Sequence, residues 1–101
     1  VASMELALTH LVQLGHTQIG LAVGPERFVP VIRKIDGFRR SMHSLLGRDD
    51  VEELIERTMF SVEGGDTAAA RLIEKGCTAV VCGSDLMALG AIRAARRAGR
   101  Q

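Results

Sequence analysis

The most informative part of the sequence reads Ala79-Val-Val-Cys-Gly-Ser-Asp-Leu-Met-Ala-Leu-Gly-Ala-Ile92. It begins with a short apolar run, which is typical of a buried strand, and the chain then turns at Gly83. Ser84 and Asp85 follow, and both are favoured residues at the start of a helix. This stretch predicts a strand that leads through a tight polar turn into a helix. In open parallel sheets, such turns lie at the edge where ligands bind.

Strand and helix patterns alternate along the rest of the chain. Apolar residues at helical spacing predict helices at residues 2–14, 30–46, 67–75 and 85–98. Short apolar runs between Gly or Pro residues predict strands at Ile19–Val23, 58–61 and Ala79–Cys82. The order α-β-α-β-α-β-α predicts an α/β fold with a doubly wound parallel sheet.

The helix patterns also predict which residues face the core. In the first helix, the apolar arc includes Leu14. In the second helix, the stripe includes Ile32 and Phe38, and Gly37 falls on the opposite face. We expect Gly64-Gly65 to interrupt the chain before the third helix.

Composition excludes several classes of protein. The 101 residues are 47% hydrophobic and 25% charged, as in soluble globular domains, and the net charge of +1 gives no basic field for nucleic acid. No apolar run approaches the roughly 20 residues that span a bilayer, so we expect no membrane partner. Cys77 and Cys82 lack CxxC spacing, and reduced, buried thiols are expected, which indicates a cytoplasmic protein.

The ends of the chain suggest that it is part of a longer protein. It begins at Val1, without an initiator Met, and it ends at Gln101, just after a predicted helix. We therefore expect residues 1–101 to form part of one incomplete lobe.

Three loops that follow the strands are expected to meet at one edge of the sheet. The candidate ligand-binding residues at this edge are Lys34, Arg33, Phe60, Ser84 and Asp85. A cation, an aromatic face and a hydroxyl–carboxylate pair suit a small polar ligand with an apolar side, such as a sugar or a nucleoside. The structural alternatives are a first-turn helix acid for Asp85, a core residue for Phe60 and a solvated side chain for Lys34.

Signals for catalysis are weak. The sequence contains no P-loop, GxGxxG, GxSxG or histidine pair at metal-binding spacing, so we expect no enzyme activity, no cofactor and no metal. Cys82 has no obvious base beside it, which makes it a weak candidate nucleophile. A small α/β enzyme remains the alternative class. A receiver-like domain is disfavoured because Gly24-Pro25 occupies the place where clustered acids are needed.

The last helix carries a second signal. Its main apolar arc includes Ile92, whereas Leu86 and Leu89 fall on the other side, next to Arg93. Exposed leucines beside arginine are typical of subunit contacts, so Leu86, Leu89 and Arg93 are candidate dimer-interface residues. The alternative is that the arginines only complement the helix dipole.

Several stretches in consistent order carry a family resemblance. They are His10-Leu-Val-Gln-Leu-Gly-His16, Gly24-Pro25, Gly37-Phe38 and Thr78-Ala-Val-Val-Cys-Gly-Ser-Asp-Leu-Met-Ala-Leu-Gly-Ala-Ile92. Together they resemble the LacI/GalR family of bacterial transcriptional regulators. The resemblance implies the C-terminal subdomain of an effector-binding core, a Rossmann-like lobe of the periplasmic-binding-protein-like type I fold.

The resemblance also implies a function. Members bind operator DNA as homodimers through a helix-turn-helix head, which this chain lacks, and a small effector, often a sugar, changes their DNA affinity. A fragment of a periplasmic-type sugar-binding protein is the alternative.

By position, Phe60 resembles the aromatic residue of the family's effector pocket, and Leu89 resembles a dimer-interface residue. Ser84 takes the place that Asn or another small polar residue usually holds in the family, and Asp85 is the adjoining acid. Lys34, next to Arg33, replaces an Arg and lacks its planar fork.

Overall fold

A computed structural model describes residues 2–99 of the chain, and the side chains of residues 4–99. The elements, in chain order, are α1 Ala2–Gln13, β1 Ile19–Val23, α2 Val29–Leu46, a 3-10 turn Glu52–Leu54, β2 Ile55–Arg57, α3 Val62–Glu74, β3 Ala79–Cys82 and α4 Asp85–Arg97. Within the described range, none of the helices is both long enough and apolar enough to cross a bilayer.

The three strands form one parallel sheet in the order β2-β1-β3. Val23 of β1 pairs with Arg57 of β2, and Ala22 of β1 pairs with Cys82 of β3. The strands therefore end at nearly the same level, and the loops after them begin side by side. The predicted α/β fold with a parallel sheet is confirmed.

The central strand β1 presents large residues to one face of the sheet and small residues to the other, because successive side chains alternate. Ile19, Leu21 and Val23 belong to the main apolar core, which α1 and α2 help to form. Gly20 and Ala22 face the other side, where α3 and α4 pack. A Cβ at Gly20 would lie 2.8 Å from the Leu72 side chain, so α3 packs directly on the strand.

Helices α3 and α4 pack against each other through glycine. A Cβ at Gly65 of α3 would overlap with the backbone of Met87 in α4, and a Cβ at Gly90 of α4 would overlap with the backbone of Val62 in α3. Because these neighbours are backbone atoms, they cannot rotate away as a flexible side chain would. The two glycines therefore set the distance and orientation between α3 and α4.

Two elements differ from the sequence prediction. The predicted strand 58–61 is wrong, because Ile55–Arg57 pairs with β1, whereas Met59 and Phe60 lie exposed in the following loop. The predicted break at Gly64-Gly65 is also wrong. Both glycines lie inside α3, which begins at Val62 because the Ser61 hydroxyl caps it by accepting a hydrogen bond from the Gly64 N–H at 2.9 Å.

The predicted faces of three helices also need correction. Gly37 is buried, because α2 packs against α1 as well as against the sheet and therefore buries a second face. Ile32 and Leu14 are 43% and 63% exposed, so neither belongs to the core. Ile92 of α4 is 48% exposed and lines an open groove beside β3, which is an edge strand in the described part of the chain.

We predict that Gly90→Ala destabilises the fold by about 2–3 kcal/mol, since an added methyl group in a tightly packed contact forces the backbone to move. Urea denaturation measures this change in the free energy of unfolding. Gly83→Ala is the control, because the nearest atom to a Cβ there is 3.4 Å away and its φ is not left-handed. Equal stability of the two variants would contradict the proposed close packing of α3 and α4.

Candidate functional site

The carboxyl ends of the three strands form one continuous edge. The Thr58 N–H donates a hydrogen bond to the Val23 carbonyl oxygen at 2.8 Å, which joins the loop after β2 to the end of β1. The Gly83 N–H donates to the Ala22 carbonyl oxygen, also at 2.8 Å, and joins the loop after β3 to the same strand. The loops that carry Phe60 and Ser84 therefore flank the end of β1.

Phe60 lies over Gly24 at this edge. A Cβ at Gly24 would overlap with the Phe60 ring, so only glycine allows the ring to lie directly on the end of β1. Phe60 is 41% exposed, so the edge is open to solvent at this position. Phe28, at the start of α2, packs against it with ring centroids 6.0 Å apart and planes tilted by 51°. The expectation that Phe60 is at the edge holds, whereas the alternative of a core residue does not.

Ser84 and Asp85 begin α4 at the same edge. The Ser84 hydroxyl accepts a hydrogen bond from the Met87 N–H at 3.3 Å, so its role as a helix cap is confirmed. This leaves the hydroxyl hydrogen of Ser84 available to donate to a ligand. Asp85 is exposed and forms no ion pair with any residue in the 2–99 range. Ligand binding by these two residues stays a prediction.

Lys34 and Arg33 lie further from the edge. Lys34 is five residues beyond the start of α2 at Val29, about 7–8 Å along the helix axis. Lys34 is half-buried and Arg33 is exposed, and neither makes an ion pair with another described residue. No ring contact or hydrogen bond joins either of them to Phe60 within residues 4–99. Their participation in the site is therefore a prediction that depends on a ligand reaching along α2.

An ion-pair network fixes the loop between β1 and α2. Arg57, at the end of β2, pairs with Glu26 in this loop and lies 3.5 Å from Glu52. Arg39 of α2 donates two hydrogen bonds to Glu52, at 2.7 and 2.8 Å. The hydrogen bond from Arg39 is the main reason that the pKa of Glu52 is lowered. Within this network, the pairing of Glu26 with Arg57 joins the loop to β2, and the pairing of Arg39 with Glu52 joins α2 to the 3-10 turn.

The outer face of α4 carries the predicted interface residues. Leu86 and Leu89 are 50% and 54% exposed, which confirms that they point away from the core. On the same face, Arg97 donates a hydrogen bond to Asp66 of α3 at 2.7 Å, and this bond lowers the pKa of Asp66. Arg93 lies 3.9 Å from the same carboxylate, and its side chain is 61% exposed. Asp66 is thus held mainly by Arg97, and Arg93 remains accessible to a partner.

Cys82 is poorly suited to nucleophilic chemistry. Burial raises the pKa of its thiol to about 11, so very little thiolate exists at neutral pH. Neither Cys82 nor Cys77 forms a disulfide. Within the described residues, no three His, Cys, Asp or Glu side chains come together in a way that would hold a metal ion.

We predict that iodoacetamide labels Cys82 slowly at pH 8, where a pKa of about 11 leaves about one thiolate in a thousand. The labelling rate should rise about tenfold per pH unit up to pH 10, because the thiolate is the reacting species. Mass spectrometry of the modified peptide measures this rate. Rapid, pH-independent labelling of the folded chain would contradict the burial of this thiol.

Sequence reasoning missed two residues at the edge. Arg27 places its guanidinium 4.9 Å from the Phe28 ring centroid, and Phe28 in turn contacts Phe60. Phe28 is the N-cap residue of α2, a position where an aromatic side chain cannot supply a cap. The available signal was an aromatic residue at a helix start, three positions after the Gly24-Pro25 turn.

Comparison with known proteins agrees with this architecture. The family model for the periplasmic binding protein-like domain matches residues 8–101. The HTH-type transcriptional regulator MalR of Streptomyces coelicolor is 60% identical over an alignment that covers 97% of this chain and 29% of that protein. The chain thus spans less than a third of the length of this relative.

Solved structures give the same result. The transcriptional regulator CelR in complex with cellobiose has a TM-score of 0.84 and 29% identity, covering 93% of this chain and 29% of that one. A LacI family transcriptional regulator from Enterococcus faecium with bound ribose has a TM-score of 0.79 and 31% identity, covering 97% of this chain and 36% of that one.

The chain therefore belongs to the periplasmic binding protein-like domain family, in the form that LacI-family transcriptional regulators carry. The family resemblance in the sequence is confirmed.

Proposed function

We propose that this chain is the C-terminal subdomain of the effector-binding core in a cytoplasmic, homodimeric transcriptional regulator that responds to a sugar. The regulator binds operator DNA through a head domain outside these 101 residues. The effector binds at the carboxyl edge of the sheet, against Phe60, and no catalytic step follows. Two structurally similar regulators have cellobiose and ribose bound, which supports a carbohydrate as the effector here.

The observation that carries this proposal is the position of Phe60 over Gly24. An exposed aromatic ring at the ends of parallel strands gives a sugar an apolar surface for its ring face. Ser84 and Asp85 begin the adjacent helix and bring a hydroxyl donor and a carboxylate acceptor toward sugar hydroxyls. These groups have different chemistry, and together they match the two sides of a sugar, one apolar and one polar.

Helix α4 links the effector to the dimer in this proposal. Its first residues lie at the carboxyl edge, and Leu86 and Leu89, less than two turns further on, face outward. An effector that bridges this subdomain and a second lobe would favour one orientation of α4 over another. The dimer would then present its DNA-binding heads differently, which is a shift between two pre-existing states.

A gel-shift assay with the regulator that contains this chain tests the proposed function. The expected result is sequence-specific binding to DNA from its own promoter region, with an affinity that changes on addition of one sugar from a panel. DNA binding that no sugar alters would contradict sugar sensing. Sugar binding without any DNA binding would instead favour a sugar-binding protein of the periplasmic type.

We predict that Phe60→Ala weakens effector binding by about 1–3 kcal/mol, the usual loss for one buried aromatic anchor. Isothermal titration calorimetry with the sugar identified in the gel-shift assay measures the change. Met59→Ala is the matched control, since Met59 is the adjacent residue and is 62% exposed. Unchanged affinity of the Phe60 variant would remove this residue from the site.

We predict that Leu89→Glu converts the dimer to a monomer, because a carboxylate on each subunit would replace apolar contacts at the interface. Sedimentation velocity measures the oligomeric state. Leu14→Glu serves as the control, because Leu14 is 63% exposed and follows α1, away from the outer face of α4. A dimer that survives Leu89→Glu at micromolar concentration would exclude this face as the interface.

A further inference from the structure

Phe28 is an exposed aromatic residue in a place that favours a small polar one. It is the N-cap of α2, and no side-chain hydrogen bond caps this helix. Ser, Thr, Asp or Asn at an N-cap stabilises a helix, so phenylalanine gives up this stabilisation. Its ring is also 42% exposed, so burial in the core does not compensate for the loss. Departures from local preference of this kind are expected at functional sites.

The residues around Phe28 make specific contacts with its ring and with the loop that carries it. Its ring packs against Phe60, with centroids 6.0 Å apart, and Arg27 places its guanidinium 4.9 Å from the ring centroid. Glu26 of the same loop pairs with Arg57 at the end of β2, and the Phe28 N–H donates a hydrogen bond to the Pro25 carbonyl oxygen at 3.3 Å. The loop is therefore held in place before any ligand arrives, which reduces the entropy that binding would cost.

Arg27 has unused hydrogen-bonding capacity. Its guanidinium makes no hydrogen bond or ion pair with another described residue. A guanidinium carries five N–H donors and no acceptor, so it suits ligand hydroxyl or acetal oxygens. The guanidinium lies over one face of the Phe28 ring, so the part of the ring that stays exposed and the adjoining N–H donors together match a pyranose ring, which has an apolar face and a polar rim.

The angle between the Phe28 and Phe60 rings determines whether one sugar ring can stack on both of them. The planes of Phe28 and Phe60 meet at 51°, so one flat sugar ring cannot stack against both. Phe28 and Phe60 come from different loops and therefore present two separate apolar surfaces side by side. A ligand that uses both surfaces needs two ring units joined by a flexible linkage.

We propose that Phe28 and Arg27 form a second sugar subsite next to Phe60, so that the chain prefers a disaccharide or longer oligosaccharide over a monosaccharide. Phe60 contacts one sugar unit, and Phe28 with Arg27 contacts the next. The inference depends on the proposed sugar-binding function and adds the size class of the ligand.

Calorimetry on the regulator that contains this chain tests the subsite, with glucose, maltose and cellobiose as probes. We expect tighter binding of at least one disaccharide than of glucose. Phe28→Leu keeps the apolar volume but removes the aromatic face, and it should weaken disaccharide binding about tenfold or more while changing glucose binding less than about twofold. Leu14→Ala, which removes an exposed apolar side chain elsewhere, should change neither affinity.

The Phe28→Ser variant distinguishes a role of Phe28 in ligand binding from a role in folding. Serine is a good N-cap, so this variant should be at least as stable as the unaltered protein to urea, yet it should lose the disaccharide preference. Equal weakening for glucose and the disaccharides, or no change in either, would overturn the second subsite. So would loss of stability in both Phe28 variants, since Phe28 would then act in folding.

The outcomes for this inference and for the proposed function can be distinguished. A regulator that binds its operator but none of the three sugars would overturn the subsite and leave DNA binding intact. Selective loss of disaccharide binding in the Phe28 variants, with no operator binding by the unaltered protein, would support the subsite and contradict the regulator.

Discussion

The contact between α3 and α4 determines where the functional groups of this chain lie. Gly65 and Gly90 allow the two helix backbones to approach each other where any side chain would overlap with backbone atoms. Met87 of α4 is fully buried beneath this contact, against Ala22 of the central strand. With α4 fixed in this way, Ser84 at its first turn stays at the carboxyl edge, and Leu89 points outward. A single packing constraint thus positions both the end of α4 that is proposed to bind the ligand and the face that is proposed to contact a partner subunit.

The carboxyl edge depends on a second small residue. Gly24 leaves room for the Phe60 ring on the end of β1, and Phe28 packs against the exposed part of that ring. The loop that carries Phe28 is also joined to the end of β2 by the pairing of Glu26 with Arg57. Within the proposed site, the aromatic pair is held by direct ring contact, whereas Lys34, half-buried on α2, makes no ion pair within the described residues.

Sequence reasoning predicted the elements whose signals are local. β1, β3 and the start of α4 have the predicted bounds, because an apolar run followed by Gly and a capping residue is decided by neighbouring positions. The start of α3 was wrong because Gly64-Gly65 favours a break in isolation. Contacts outside the helix make glycine necessary there, since a Cβ at Gly65 would overlap with the Met87 backbone of α4 and a Cβ at Gly64 with the Met59 backbone of the preceding loop. Phe28 was missed as a site residue for a similar reason, since its partner Phe60 is 32 positions away along the chain.

A crystal structure of the full regulator with a bound disaccharide would test the central claim most directly. The account predicts the sugar at the carboxyl edge of this sheet, with one unit against Phe60 and the next against Phe28, and with Leu89 at the contact between two subunits. A disaccharide bound elsewhere, with the side chains of Phe28 and Phe60 still facing solvent, would contradict it.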